Sequence, residues 1–270
     1  GTKMVNVFPT DTALVKNKII QGSTTIPATN SASYSGFPAI DYLLFWKSLS
    51  AEQIVDSFQI SSLAIKRCNF LKALSANLKT RVNSTYSDWT SGSSPFNTLY
   101  TNNTGLDLGS STSQTINMMV ADLENIKNYK LGLPLNISQN VVIDNANVYP
   151  FRSEGYHSDS SLVLAKASME ALRKLYKGIS PAGIDGQGFD DYLIAIGRTD
   201  LSKQIGDEIE LVQTKLNLIP GPISIAIQNP AGKQAVQNAF QEMLNLITLM
   251  KVDLPSAVGV IISYGDTDGD

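Results

Sequence analysis

Histidine and cysteine are nearly absent from this chain, which has one of each, His157 and Cys68, in 270 residues. A zinc peptidase needs several nitrogen or oxygen ligands, an open position for water and a general base. One histidine therefore excludes a His-Glu-x-x-His arrangement and any site with two histidine ligands. One cysteine excludes an intrachain disulfide, and the apolar helical positions around Cys68 indicate a buried, unreactive thiol.

Long apolar runs and basic clusters are also missing. No run reaches the roughly 20 apolar residues that a membrane-spanning helix requires, and the densest basic cluster is the pair Lys66-Arg67. The formal net charge is -3. These features exclude nucleic acid as an expected partner.

Apolar residues recur at intervals of three and four over most of the chain, which predicts helices. Ser50 and Gln53 resemble a capping box before the longest of them. Residues 1–35 are predicted to be mostly loop with a helical turn or two, and 90–113 to be non-helical. The tail Val258–Tyr264 is predicted as a short strand or an extended strip. The predicted helices lie at 38–47, 51–87, 110–130, 162–175, 188–197, 199–217 and 231–250.

This pattern predicts an all-α fold of two packed antiparallel helical bundles, with at most a short strand near the C-terminus. The stretch 131–152 has no helical period and Pro150 ends it. We therefore predict an N-terminal bundle at residues 1–147 and a C-terminal bundle at residues 148–270.

Residues 36–45 read Gly-Phe-Pro-Ala-Ile-Asp-Tyr-Leu-Leu-Phe and contain Pro38 and Asp41. Proline is favourable at the first position of a helix, and a carboxylate in the first turn faces the positive end of the helix dipole. The residues thus predict a helix start. The segment also has the layout of a site motif, but Pro38 offers no donor, acceptor or titratable group where a coordinating side chain would stand.

Residues 154–161 read Glu-Gly-Tyr-His-Ser-Asp-Ser-Ser. Adjacent His157, Ser158 and Asp159 cannot form a catalytic triad, because a triad needs groups that converge from separate segments. Ser158 and Asp159 are predicted instead to cap the following helix. The ending Asp266–Asp270 resembles the opening of a calcium loop without its glutamate, and we interpret it as an acidic tail.

These segments resemble the imelysin-like family of bacterial envelope proteins. Residues 36–41 are similar to its signature Gly-x-His-x-x-Glu, with Pro38 in place of histidine and Asp41 in place of glutamate. Residues 154–161 resemble its second signature, Glu-x-x-Phe-Ser-Asp-Asn-Thr. Three further segments are similar to family sequences in the same order: 122–135, 189–193 and 252–270.

The resemblance implies an envelope protein of the periplasm or outer membrane, often a lipoprotein, that is associated with iron uptake. Membrane association would occur only through a lipid anchor, which would precede residue 1 together with a signal segment. The family usually has a further helical hairpin before the first signature, whereas only 1–35 precede it here. The missing helices are either removed, on a separate fragment, or absent from this member.

The resemblance also implies a site where the two signatures meet, between the bundles. Asp41 and Glu154 could hold iron or another metal cation there, although a site built of carboxylates suits calcium or magnesium better than zinc. We interpret Gly36 to Asp41 first as a helix start and second as a metal site. The predicted binding residues are Gly36, Pro38, Asp41, Glu154, Ser158, Asp159 and Ser161.

Three functions remain open at this point. The leading hypothesis is a non-catalytic cell-envelope binding protein for a small ligand or metal, linked to iron uptake. The second is a metal-dependent peptidase of the imelysin type, as some family members were described. The third is a structural envelope protein with no small ligand.

Overall fold

Helices account for most of the chain in a computed structural model, which describes residues 7–138, 141–142 and 147–263. The all-α prediction is confirmed. Strands β1 (Ile137–Ser138) and β2 (Val141–Val142) form a short antiparallel pair. The helices are α1 (Thr12–Ile20), α2 (Gly36–Phe45), α3 (Ala51–Gln59), α4 (Ala64–Thr90), α5 (Phe96–Asn102), α6 (Ser111–Asn125), α7 (Leu133–Leu135), α8 (Ser161–Tyr176), α9 (Phe189–Ala195), α10 (Thr199–Asn217), α11 (Ile223–Ala226), α12 (Pro230–Thr248) and α13 (Leu254–Val258).

Side chains at the helix starts explain several of these boundaries. The predicted capping box of α3 is confirmed, because the Ser50 hydroxyl accepts from the Gln53 N–H and the Gln53 amide oxygen accepts from the Ser50 N–H. Asn229 caps α12 through the Gly232 N–H at 2.8 Å. Each cap satisfies backbone donors that the first helical turn leaves without partners.

Several helices differ from the prediction. The helix predicted at 51–87 divides into α3 and α4, because the N–H groups of Ile60 and Ser61 both bond to the Asp56 carbonyl and close a turn. Helix α5 lies within the stretch 90–113 that was predicted to be non-helical. Apolar periodicity continues across a short turn and is weak in a helix of two turns, so neither feature is visible in the pattern.

Two π-helical segments also extend helices beyond the predicted ends. Ile126–Gly132 continues α6 into α7, and Leu249–Asp253 continues α12 into α13. Both short helices have proline at their second position and end at a left-handed residue, Asn136 with φ 61° and Gly259 with φ 80°. The predicted stop at Gly132 and Pro134 is therefore wrong, because the π segment ends at Gly132 and leads directly into α7, which contains Pro134.

The chain divides into two compact units, the first consisting of Gly1–Thr98 and Glu154–Ser160. In it, α4 packs against α1, α2 and α3. The core is small and takes few residues from each helix. Its buried apolar side chains are Val15, Ile19, Tyr34, Ala39, Tyr42, Leu43, Phe70 and Leu74.

The second unit consists of Leu99–Ser153 and Ser161–Asp270. Helices α8, α9 and α12 pack against α10, and its core is larger, with Met169, Ile205 and Met243 fully buried. The strand or strip predicted at Val258–Tyr264 starts inside α13, and residues 260–263 follow it as a strip without regular secondary structure. Asn117 holds it by donating to the Ile261 carbonyl at 3.1 Å and accepting from the Ser263 N–H at 2.7 Å. Tyr264 and the predicted acidic tail lie outside the described residues.

These units differ from the division predicted at residues 147 and 148. The apolar face of α6, with Ile116, Met119 and Leu123, belongs to the core of the second unit. Residues 154–160 belong to the first unit, although most of the chain around them belongs to the second. In the part of the chain that the structure describes, no helix has the length and apolar character needed to span a membrane.

Candidate functional site

The start of α2 places the first signature. Gly36 is buried and has φ 77°, a backbone conformation that favours glycine, and Pro38 is buried two residues later. Because the helix begins at Gly36, Asp41 lies in its second turn rather than in the predicted first turn. The dipole therefore does not explain Asp41, and its role must come from its contacts.

The carboxylate of Asp41 binds main-chain groups of the second signature. Its Oδ2 accepts from the His157 N–H and its Oδ1 accepts from the Ser158 N–H, both at 3.1 Å. Both oxygens are therefore used to hold residues 154–160, which we call the clamped segment. Bonds from N–H groups to an ionised acceptor are among the stronger hydrogen bonds in proteins.

A second set of contacts holds the far end of the clamped segment. Lys47, just after α2, forms an ion pair with Asp159, and its amine lies 4.8 Å from the centre of the Tyr156 ring. The segment is a turn, with φ 58° at both Gly155 and Asp159. The predicted caps are therefore corrected. The Ser158 hydroxyl donates to the Gly155 carbonyl, Asp159 binds Lys47, and α8 begins beyond both of them.

His157 lies between two aromatic rings in this turn. Its ring centre is 5.3 Å from that of Tyr42 and 5.1 Å from that of Tyr156. Its Nδ1 is buried and has no hydrogen-bond partner among the described residues. Burial lowers the pKa of His157 below its ordinary value, Asp41 opposes the shift and Lys47 adds to it. The shift favours the neutral imidazole, and its buried Nδ1 has no hydrogen-bonded partner for proton transfer among the described residues.

The structure places six of the seven predicted binding residues in the first unit. Glu154 is buried, and the seventh residue, Ser161, belongs to the second unit, where its hydroxyl accepts from the Ile223 N–H at 3.0 Å. Residues 7–138, 141–142 and 147–263 contain no group of three or more His, Cys, Asp or Glu side chains placed to hold a metal ion. Metal binding by Asp41 and Glu154 stays a prediction.

The family model described as Imelysin, of the type Peptidase_M75, matches residues 2–250. The chain belongs to the imelysin family. The two segments that resemble family signatures are the ones that the structure joins through Asp41. No curated protein matches the chain.

Two solved structures share the imelysin fold of this chain at low sequence identity. An imelysin-like protein from Psychrobacter arcticum 273-4 has a TM-score of 0.68 and 16% identity over 96% of this chain and 72% of its own. An iron-regulated protein A precursor from Parabacteroides distasonis ATCC 8503 has a TM-score of 0.69 and 16% identity over 95% of this chain and 74% of its own. At this identity the similarity establishes the fold alone.

Sequence reasoning missed the residues that support the imelysin signatures from the side. Tyr42 and Lys47 contact the clamped segment, and His157 was considered only as a triad member. His157 stands where the second signature has phenylalanine. An aromatic ring at this position is the sequence feature that could have predicted its packing role. Lys47 gives no signal, because an exposed lysine after a helix is ordinary.

His157 should make stability depend on pH in a defined direction. Because its pKa is lower in the folded chain, the unfolded chain binds more protons once the pH falls below about 6.5, and the free energy of unfolding then decreases. We expect His157→Phe, which keeps the ring, to reduce the loss of stability between about pH 7.5 and about pH 5.5. Urea unfolding of both proteins at the two pH values measures this. An equal loss in both proteins would show that His157 does not contribute.

Proposed function

We propose that this imelysin-family chain is a non-catalytic binding protein of the bacterial cell envelope. In this chain the first signature segment holds the second in place through hydrogen bonds and does not hold a catalytic metal ion. The observation that carries this proposal is the position of Asp41, whose two carboxylate oxygens accept the N–H groups of His157 and Ser158.

The donor set of the first signature supports a non-catalytic role. Pro38 supplies no ligand where the resemblance implies a histidine, and the oxygens of Asp41 already have main-chain donors. A catalytic metal ion needs several protein ligands and one open position, and these residues do not fit it. The Nδ1 of His157 is buried and so cannot supply the nitrogen ligand that Pro38 lacks.

The iron-regulated protein A precursor supports an envelope location and a role linked to iron uptake, as the family resemblance also implies. A precursor is a protein from which a segment is removed, which is typical of exported proteins. We extend both properties to this chain as part of the proposal.

Binding and cleavage assays test the proposal directly. We expect the chain to cleave no unfolded protein substrate in a chelator-sensitive manner. We also expect calorimetry with Fe(II), Fe(III), Ca²⁺ and Zn²⁺ to give dissociation constants no tighter than millimolar for the wild-type chain. Cleavage that a chelator abolishes, and that Asp41→Ala also abolishes, would replace the proposal with the peptidase hypothesis.

Restoring the signature is a gain-of-function prediction. The double variant Pro38→His/Asp41→Glu regains the nitrogen and oxygen ligands of the family motif, and we expect its affinity for Zn²⁺ or Fe(II) to exceed that of the wild type by at least about tenfold. Pro38→Ala is the matched control, because it removes the proline without adding a ligand. If the double variant and the control bind equally weakly, the loss of the metal site does not lie in these two side chains.

A further inference from the structure

A cleft of about 670 Å³ opens in the second unit, and it contains none of the signature residues. Tyr100 of α5 and the start of α6 form one wall. The end of α8 and residues 187–192, which lead into α9, form the other wall. Pockets that bind small ligands usually measure about 300–1,000 Å³, so the cleft has the size of a binding site.

Hydrogen bonds at its base hold the first wall in place. The Tyr100 hydroxyl bonds with the Thr115 hydroxyl, and the Ser111 hydroxyl donates to the Tyr100 carbonyl. These contacts attach α5 to the first two turns of α6 and fix the Tyr100 ring at the edge of the cleft. A ring that is held before binding loses less conformational entropy when a ligand packs on it.

Two glycines hold the second wall. A Cβ at Gly188 would lie 2.4 Å from the Lys177 carbonyl carbon, and a Cβ at Gly178 would lie 2.6 Å from the Gln187 carbonyl carbon. The chain before α9 therefore packs with backbone against backbone on the end of α8. This contact places Gln187, Phe189 and Tyr192 at the cleft in a defined arrangement.

The charge of the lining excludes two classes of ligand. Among the described residues, no lysine, arginine or histidine lines the cleft, so none of them supplies a counter-charge for an anion. Asp191 is the one carboxylate among the described lining residues, and its Oδ2 already accepts from the Gly188 N–H at 3.2 Å. A single carboxylate in that state is too few ligands for a metal cation.

The remaining lining combines aromatic and aliphatic surface with neutral polar groups. Phe189, Tyr192 and Leu106 supply the apolar part, and Thr112 and Gln187 supply a hydroxyl and an amide. Tyr192 is 39% exposed, so its ring is open to a ligand. The Thr112 hydroxyl and the Gln187 amide have no hydrogen-bond partner recorded in the described part of the chain and can donate to or accept from a ligand.

We propose that this cleft binds a neutral saccharide. A sugar ring has an apolar face of C–H groups, which packs on aromatic rings, and an edge of hydroxyls, which pairs with Thr, Gln and Asp side chains. An extended peptide is less suitable, because it is usually bound by pairing with an unpaired strand edge, and no strand lines the cleft. The inference concerns a different set of residues from the Asp41 site, so either proposal can fail without the other.

Titration of the full chain with four neutral oligosaccharides tests the proposal: maltotetraose, cellotetraose, xylotetraose and tetra-N-acetylchitotetraose. We expect at least one to bind with a dissociation constant below about 1 mM, as measured by calorimetry and by saturation-transfer NMR. Tyr192→Ala should weaken that binding by about tenfold or more, since it removes a packing ring. Ile194→Ala is the matched control, because Ile194 is 51% exposed on the same helix but does not line the cleft.

A second variant separates a neutral ligand from a charged one. Asp191→Asn removes the charge but keeps an oxygen and adds an amide donor that can pair with a sugar hydroxyl, so we expect saccharide affinity to fall by less than about tenfold, whereas a cationic ligand would lose nearly all of its affinity. Absence of binding by all four sugars, or binding that Tyr192→Ala leaves unchanged, would overturn the proposal. Binding of an N-acetylated, C-amidated tetra-alanine that depends on Tyr192, without sugar binding, would assign the cleft to peptides instead.

Discussion

Lys127→Met should lower the free energy of unfolding by about 3–5 kcal/mol, because it leaves a buried carboxylate without its cation. The Lys127 amine lies 2.8 Å from Glu124 Oε2, and the two side chains are 1% and 5% exposed. The contact is close enough for a strong ion pair, although it is not aligned as a hydrogen bond. Urea unfolding followed by circular dichroism measures the change.

The surroundings of the pair explain why the loss should be large. Within the described residues Glu124 Oε1 has no hydrogen-bond partner, and Oε2 accepts from Asn128 Nδ2 at 3.2 Å. Without Lys127, one long bond would be left to stabilise a charge that water does not reach. The pair spans the junction between α6 and its π-helical segment.

The double variant Glu124→Met/Lys127→Met is the control for this prediction. It removes both charges at once, and replacing a buried ion pair with apolar side chains of similar volume is often neutral or stabilising. We expect its stability to lie within about 1 kcal/mol of the wild type or above it. If Lys127→Met alone lowers the free energy of unfolding by less than about 1 kcal/mol, water reaches the pair in solution, and the buried-ion-pair explanation is wrong.

Asp41→Ala should cost about 2–3 kcal/mol and release the clamped segment, because it leaves the N–H groups of His157 and Ser158 without an acceptor. Hydrogen exchange distinguishes this effect from a general loss of stability. We expect the amides of residues 157 and 158 to lose most of their protection, while amides in the core of α10 change only with the global stability.

Two variants calibrate the Asp41 result. Asp41→Asn keeps one side-chain oxygen as an acceptor, so it should retain part of the protection and cost less than Asp41→Ala. Asp159→Asn removes the charge that binds Lys47 at a more exposed position, and its cost should stay below about 1 kcal/mol. Equal effects of Asp41→Ala and Asp159→Asn would contradict the assignment of Asp41 as the main anchor.

The helices were largely predictable because their signals are local. Helix α10 begins and ends where apolar spacing places it, and the Ser50–Gln53 capping box marks the start of α3 within four residues of sequence. The turn between α3 and α4 and the two π-helical segments were not predictable. They interrupt or widen a helix whose apolar period continues, so the spacing of apolar residues gives no sign of them.

The two segments that Asp41 joins were visible in the sequence, but their geometry was not, and their role as a binding site stays a prediction. The two signatures identify Asp41 and the segment around Ser158, yet their separation in sequence says nothing about which groups meet. The structure shows that the Asp41 carboxylate meets main-chain N–H groups. Main-chain N–H donors are present at every residue except proline, so no pattern of side chains in the sequence can predict such a contact.

By itself, the sequence determined the all-α class, the positions of the longer helices α8, α10 and α12, membership of the imelysin family and the presence of Pro38 where the family signature has histidine. These follow from periodicity, capping residues and residue identity, which act over a few positions. Only the tertiary structure decided that Asp41 anchors the clamped segment, that His157 packs between two tyrosines, and that Lys127 is a buried cation. Each of these depends on burial and on which groups come into contact. Burial and these contacts arise only when the helices pack.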